Sequence, residues 1–207
     1  MTDRPAATSR VLRLWLLFGA IAIVVVIADQ VSKAWVQSSF ALVSGGAPAG
    51  SPGAPTPVIG DLVRIARSQN DGGIFGLLGA SAPLLGIASL GVIGVIVWVQ
   101  ARQGIHSLLL TMALGLLLGG AVGNLLDRLR YGHVVDWVDT GIGNARFYTF
   151  NVADSAISIA VLVLLLLGLL GPRLARLGHP APVAASTTST ADGQLPNDGQ
   201  LPNGGHP

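Results

Sequence analysis

The chain has 207 residues, 51% of them hydrophobic and 11% charged, where a soluble domain carries roughly 25% charged residues. It contains no cysteine, which excludes disulfides, thiolate catalysis and cysteine-ligated metals. The formal net charge is +2, but Lys33 and the arginines are scattered among loops and helix ends, so no basic patch points to nucleic acid.

The first apolar run, Leu14 to Ala28, contains no polar side chain. Arg4, Arg10 and Arg13 before it, and Val26-Ile-Ala28 at its end, also fit a cleavable signal peptide. Its continuation as Asp29-Gln-Val-Ser-Lys33-Ala-Trp35 reads instead as one longer helix ending at an aromatic belt. Asp29 and Lys33 stand at i and i+4 on that helix and are expected to pair. A Gly/Pro/Ala/Ser stretch, Gly45 to Pro57, reads as a flexible insertion. Asp61 to Arg67 then alternates like a strand. Asn70-Asp-Gly72-Gly-Ile-Phe75 is turn-rich, and reads as a surface hairpin or a loop that contacts substrate.

Three more apolar runs follow. Ala82 to Val99 has only Ser89 as a polar residue, Leu108 to Gly123 only Thr111, and Ala156 to Gly171 only Ser158. With flanking residues each reaches about 20 residues, enough for a hydrocarbon core of roughly 30 Å. Four crossings are predicted. Gly115, Gly119 and Gly123 form a small-residue stripe that lets another helix approach closely. The same helix ends in Asn124 and Asp127, and the adjacent Arg128 and nearby amides make Asp127 a buried network member held ionised. On the fourth run Asn151, Asp154, Ser155 and Ser158 form one polar stripe, expected to face the bundle interior. From His179 the chain is low-complexity and repeats Gly-Gln-Leu-Pro-Asn, which reads as disordered.

Basic residues divide evenly between the two sides, and the arginines before the first helix break the tie towards cytoplasmic termini. The loops at about residues 37–80 and 128–150 then lie outside, with Asp136 and Asp154 at that face.

Asp136 sits among Val134, Val135, Trp137 and Val138, so desolvation should raise its pKa. Facing a second carboxyl it would titrate as one of a pair, and a half-protonated pair can activate water and polarise a carbonyl. Lys33 is better explained by Asp29 than by a serine–lysine set, and His106, His133, His179 and His206 lack metal-ligand spacing. Intramembrane carboxylates also serve proton relays. On composition and spacing alone a peptidase and a small proton-coupled transporter stand level, and Asp127, Asp136 and Asp139 all remain open as partner to Asp154.

Five blocks then narrow the choice. They are Asp29-Gln-Val-Ser-Lys33, Asn70-Asp-Gly-Gly-Ile-Phe75, Gly119-Gly-Ala-Val-Gly-Asn-Leu-Leu-Asp-Arg128, Gly132-His-Val-Val-Asp-Trp-Val-Asp139 and Phe150-Asn-Val-Ala-Asp154. In that order, over roughly residues 11–172, they resemble the signature blocks of signal peptidase II, the bacterial lipoprotein signal peptidases. The resemblance implies an aspartic endopeptidase of the cytoplasmic (inner) membrane. It would cut prolipoproteins before the diacylglyceryl-modified cysteine, with Asp136 and Asp154 as the catalytic pair. Asp29, Lys33, Asn70, Gly72, Asn124, Asp127, Arg128 and Asn151 match positions that shape the site or hold substrate. No metal or organic cofactor is implied, and globomycin-type inhibitors are expected to bind. The block at Asn70 reads Gly-Gly-Ile-Phe where the family usually has Gly-Ala-Ala-Phe, and the Gly45–Pro57 insertion lengthens the loop before it.

The expected fold is thus an all-α membrane protein. It is a four-transmembrane-helix bundle with a small extracytoplasmic β-cradle and a short periplasmic-side helix, the last two implied by the resemblance. Residues 1–178 would form the four-span peptidase, with spans near 12–35, 80–100, 107–127 and 151–171. Residues 179–207 would form the tail.

Overall fold

The structure, a computed structural model, describes residues 4–71, 82–102 and 107–177. Four helices, α1 (Arg4–Ser39), α2 (Ala82–Arg102), α3 (Leu108–Tyr131) and α4 (Val152–Leu177), alternate with strands β1 (Thr56–Ile59), β2 (Val63–Asn70), β3 (Val134–Ile142) and β4 (Ala145–Arg146). Each helix contains a segment that by length and composition can cross a membrane: Ser9–Ser39, Leu84–Arg102, Leu108–Tyr131 and Val152–Leu170. All four predicted spans have a counterpart. At 1.5 Å per residue α1 runs about 54 Å and overshoots the hydrocarbon core at one end or both.

α3 is the central helix and packs against α1, α2 and α4. Its glycines are the reason. A Cβ on Gly119 would stand 2.6 Å from Val25 Cβ and 2.8 Å from the Ala22 carbonyl oxygen, and one on Gly115 3.1 Å from Ile21 Cβ. On another face, a Cβ on Gly120 would stand 2.5 Å from the Ala153 carbonyl oxygen of α4. The predicted stripe therefore seats α1, and its neighbour Gly120 seats α4. Phe18, Ile96 and Leu114 join α1, α2 and α3 in a buried apolar cluster.

Helix ends position the loops. Ser107 caps α3 by accepting the Leu110 N–H, and Gly132 ends it in the left-handed region (φ +77°), with its N–H on the Arg128 carbonyl. The chain then enters β3 directly. The sheet has the order β1-β2-β3-β4, with every neighbouring pair antiparallel. Arg64 lies opposite Asp139 and Ser68 opposite Asp136, with an extra β2 residue between Ile65 and Ser68. Val138 and Phe150 exchange backbone hydrogen bonds of 2.8 and 3.1 Å, which lays the segment entering α4 against β3.

Two expectations change here. The Gly45–Pro57 stretch is a run of hydrogen-bonded turns: Ala47 N–H donates to Ser44, Ser51 N–H to Pro48 and Ala54 N–H to Ser51. Its end, with Pro57, belongs to edge strand β1. Proline suits an edge, where its missing N–H breaks no ladder. In α4 the buried positions are Ala153, Ala156 and Ala160, while Ser158 is exposed and Ser155 bonds back to the Asn151 carbonyl. The polar stripe thus ends after the first turn, and it is Ile157 and the Ala153 carbonyl that pack on Gly120. The short outer helix has no counterpart within residues 61–71, and residues 72–81, with Gly72, lie outside the described set, as does the tail from 178.

Gly119→Ala should lower stability by about 1–3 kcal/mol, since even a methyl must push α1 away. Gly94→Ala, with open space around its Cβ, should leave the thermal midpoint in detergent unchanged or raise it. Equal midpoints for the two variants would contradict this packing.

Candidate active site

Polar groups from α1, α3, β2, β3 and α4 converge where the bundle meets the sheet. The inner part is built on Lys33, whose side chain is 2% exposed. Its ammonium lies 2.7 Å from Asp29 Oδ2, 2.8 Å from Asp127 Oδ2 and 3.2 Å from Asn124 Oδ1. Three acceptors match the three donors of an ammonium. The predicted Asp29–Lys33 pair is present. The cation on Asp127, however, is Lys33 and not Arg128, whose Nη1 donates to the Asn124 carbonyl at 3.3 Å. Arg128 follows Asp127 directly on a helix, and adjacent helical residues do not face each other.

The two acids also hold neighbouring elements. Asp29 Oδ1 accepts the Ala153 N–H at 3.0 Å, satisfying an otherwise orphaned donor in the first turn of α4. Gly123 leaves room for it, since a Cβ there would meet Asp29 Oδ2 at 2.7 Å. Asp127 Oδ2 accepts the Val135 N–H at 3.0 Å and so docks the start of β3. Gln30, which sequence reasoning passed over, donates to Asp127 Oδ1 at 2.9 Å and to the Gly123 carbonyl at 3.2 Å. Its oxygen accepts from Arg130 at 2.9 Å. Its place between Asp29 and Lys33 in the first block was the available signal.

The outer part holds Asp136 and Asp154. Asn151 precedes α4 as its N-cap: its Oδ1 accepts the Asp154 N–H at 2.9 Å, and its own N–H donates to Asp154 Oδ2 at 3.2 Å. That reciprocal pair is a capping box in Asn/Asp form. Asn151 Nδ2 then donates to Asp136 Oδ1 at 2.7 Å and to Asn124 Oδ1 at 3.1 Å. Asn124 Nδ2 donates to Asp154 Oδ1 at 2.8 Å, and Asn70 Nδ2 to Asp136 Oδ2 at 3.0 Å. Asn124, Asn151 and Asn70 thus span the two carboxyls. Arg128 lies within electrostatic reach of Asp154, Asp127 and Asp136.

Burial pushes the Asp136 carboxyl up to about 6; the Asn70 hydrogen bond works against the rise and the charge of Asp154 adds to it. Asp139, three residues on, points to the opposite face of β3. There it meets Arg64 at 2.7 Å and Arg146 at 2.9 Å. Burial alone would raise Asp139, but hydrogen bonds from Arg146 and Arg64 outweigh it and hold the carboxyl below its usual range. Of the three acids left open as partner to Asp154, Asp127 is occupied by Lys33 and Asp139 by arginines. Asp136 alone of the three shares a donor residue with it, Asn151, whose backbone N–H serves Asp154 and whose side-chain amide serves Asp136.

Four helices able to cross a membrane, closed at one end by a sheet, with Asp136 on β3 and Asp154 on α4 at the junction, define an integral membrane protein with a polar site at the bundle–sheet junction. A family model described as Signal peptidase (SPase) II matches residues 21–170. The lipoprotein signal peptidase of Caulobacter vibrioides is 40% identical over 160 residues, covering 73% of this chain and 85% of that protein. That of Syntrophus aciditrophicus is 37% identical, covering 72% and 89%. A solved bacterial membrane enzyme superposes with a TM-score of 0.65 at 29% identity, covering 78% of this chain and 92% of its own. The chain belongs to the signal peptidase II family. It is a multi-pass membrane peptidase, and these likenesses lend the transporter reading no support.

Two outcomes follow. Lys33→Met leaves Asp29 and Asp127 buried without a cation, and should cost about 3–5 kcal/mol. Adding Asp29→Asn and Asp127→Asn should restore most of the thermal midpoint. For Asp136 the native state favours the protonated form, so its contribution is full near pH 4 and lost as pH rises through about 6. A rise from 3.8 to about 6 corresponds to about 3 kcal/mol. Asp136→Asn should therefore unfold at a higher temperature than wild type at pH 7.5, with the gap closing at pH 4. A gap independent of pH would refute it.

Proposed function

We propose that the protein is an aspartic endopeptidase that hydrolyses the bond before the diacylglyceryl-modified cysteine of prolipoproteins, with Asp136 and Asp154 as the catalytic pair. The observation that carries this reading is the amide bridge: Asn151 caps Asp154 and donates to Asp136, and the two carboxyls lie within electrostatic reach of each other. The ionised member takes a proton from water as its oxygen attacks the scissile carbonyl carbon. The protonated member gives its proton to the carbonyl oxygen, forming a neutral diol. In the return step the first acid protonates the leaving nitrogen, the second recovers a proton from the diol, and the C–N bond breaks. The products are a signal-peptide carboxylic acid and a cysteine amine, with the pair restored.

Asn70, Asn124 and Asn151 orient the pair, Arg128 supplies positive potential beside it, and Asp29, Lys33 and Asp127 fix the elements that carry it. The termini are cytoplasmic and the site lies at the outer face of the cytoplasmic membrane. A lipid-anchored substrate presents its cleavage site at that level, bedded against the sheet as a cradle. Globomycin-type inhibitors occupy the same site.

Asp136→Asn and Asp154→Asn should each lower cleavage of a lipidated prolipoprotein by at least about 10³-fold, measured on purified enzyme in detergent or nanodiscs. Globomycin should stop wild-type turnover. Wild-type rates in either variant would sink the assignment.

A further inference from the structure

Gln30 joins the buried network to the exposed rim of the bundle, and the direction of each bond it makes is settled by its partners. A guanidinium only donates, so Gln30 must turn Oε1 towards Arg130 Nη1, 2.9 Å away. A backbone carbonyl only accepts, so Nε2 must face the Gly123 oxygen at 3.2 Å. That orientation places Nε2 2.9 Å from Asp127 Oδ1 and 3.2 Å from Asp29 Oδ2. Turning the amide over would set its oxygen against a carbonyl and two carboxyls, and its hydrogens against a cation. The two ends of the amide thus fix it independently.

What Gln30 holds is Asp127. Lys33 and the Val135 N–H both sit on Asp127 Oδ2, at 2.8 and 3.0 Å, and Gln30 sits on Oδ1. The terminal torsion of an aspartate is broad. Contacts on one oxygen therefore leave the carboxyl plane loose, and a donor on the other fixes it. Val135 is in turn gripped from both sides, its N–H by Asp127 and its carbonyl by Asn151 Nδ2 at 3.4 Å. That carbonyl belongs to the peptide bond leading into Asp136. Arg130 stands three residues beyond Asp127 on α3, and it reaches the acid through Gln30 on α1.

We infer that Gln30 is a positioning residue for the catalytic pair: held by Arg130, it fixes the carboxyl plane of Asp127, and through Asp127 it sets the Val135 peptide and the place of Asp136. This rests on the Asp136/Asp154 reading above and adds a residue to it. No bond is made or broken at Gln30. Its effect falls on geometry, where a misplacement of about 1 Å costs up to about 10²-fold in rate.

The test uses the full-length enzyme in nanodiscs. Gln30→Leu should lower kcat for a lipidated prolipoprotein about 10-fold, with KM unchanged. It should also speed amide exchange at Val135 about 10-fold, while buried Leu114 keeps its protection. Arg130→Met, at an exposed position, should move both readouts the same way by less, and Arg130→Lys should restore them. Because Arg130 acts through Gln30, the double variant should be no slower than Gln30→Leu alone. Four results would overturn the inference: an unchanged kcat, a rise in KM alone, exchange at Leu114 speeded as much as at Val135, or effects of the two substitutions that multiply. Failure of the underlying reading is separate. Asp136→Asn would then cleave at wild-type rate, whereas exchange at Val135 reports on Gln30 without reference to catalysis.

Discussion

Everything at the junction of bundle and sheet is tied to one buried ammonium group. Lys33 Nζ is held by Asp29 on its own helix and by Asp127 and Asn124 on α3. Each of those acceptors reaches a further element: Asp29 the first turn of α4, Asp127 the start of β3, Asn124 the Asp154 carboxyl. A buried ion pair is weak evidence for stability, because desolvation offsets most of its attraction. Here its role is specification. The charge joins α1 to α3 and, through its acceptors, to α4 and β3, and in that arrangement Asn151 donates to both outer carboxyls.

Close backbone approach makes such a short network possible. Carboxylate and ammonium groups reach one another across helices only if the axes stand near, and α3 achieves this with glycine on two faces. Gly123 does so most directly, since the space a Cβ would take is filled by Asp29 Oδ2. Alanine on α4 performs the matching service at Ala153, Ala156 and Ala160. Packing and electrostatics are thus one constraint at this site.

Much of this was legible in the chain. The spans follow from apolar run length, the Asp29–Lys33 pair from helical spacing, and the seat for α1 from the glycine repeat. What escaped were relations set by tertiary contact. Lys33 and Asp127 are far apart in sequence, so Arg128 looked the nearer cation until helix geometry turned it away. After one turn the described buried positions of α4 are Ala156 and Ala160, while Ser158 is exposed. The Gly45–Pro57 composition looked flexible, yet its turns deliver Pro57 to a sheet edge whose partner strand sequence alone could not identify. Asp139 could be set aside only with Arg64 placed opposite it by the β2–β3 register. The choice of Asp136 came from resemblance, and Asn151, which donates to both Asp136 and Asp154, is consistent with it.

The pairing of Asp29 with Lys33 within a single helix also bears on how the chain enters lipid. α1 precedes α3 in synthesis, and its acid and base already neutralise each other at i and i+4. It can therefore cross the apolar phase carrying its own counterion, at less cost than a bare charge. Asp127 arrives later, next to an arginine that points elsewhere. The third helix gains the cation for Asp127 only by docking on the first.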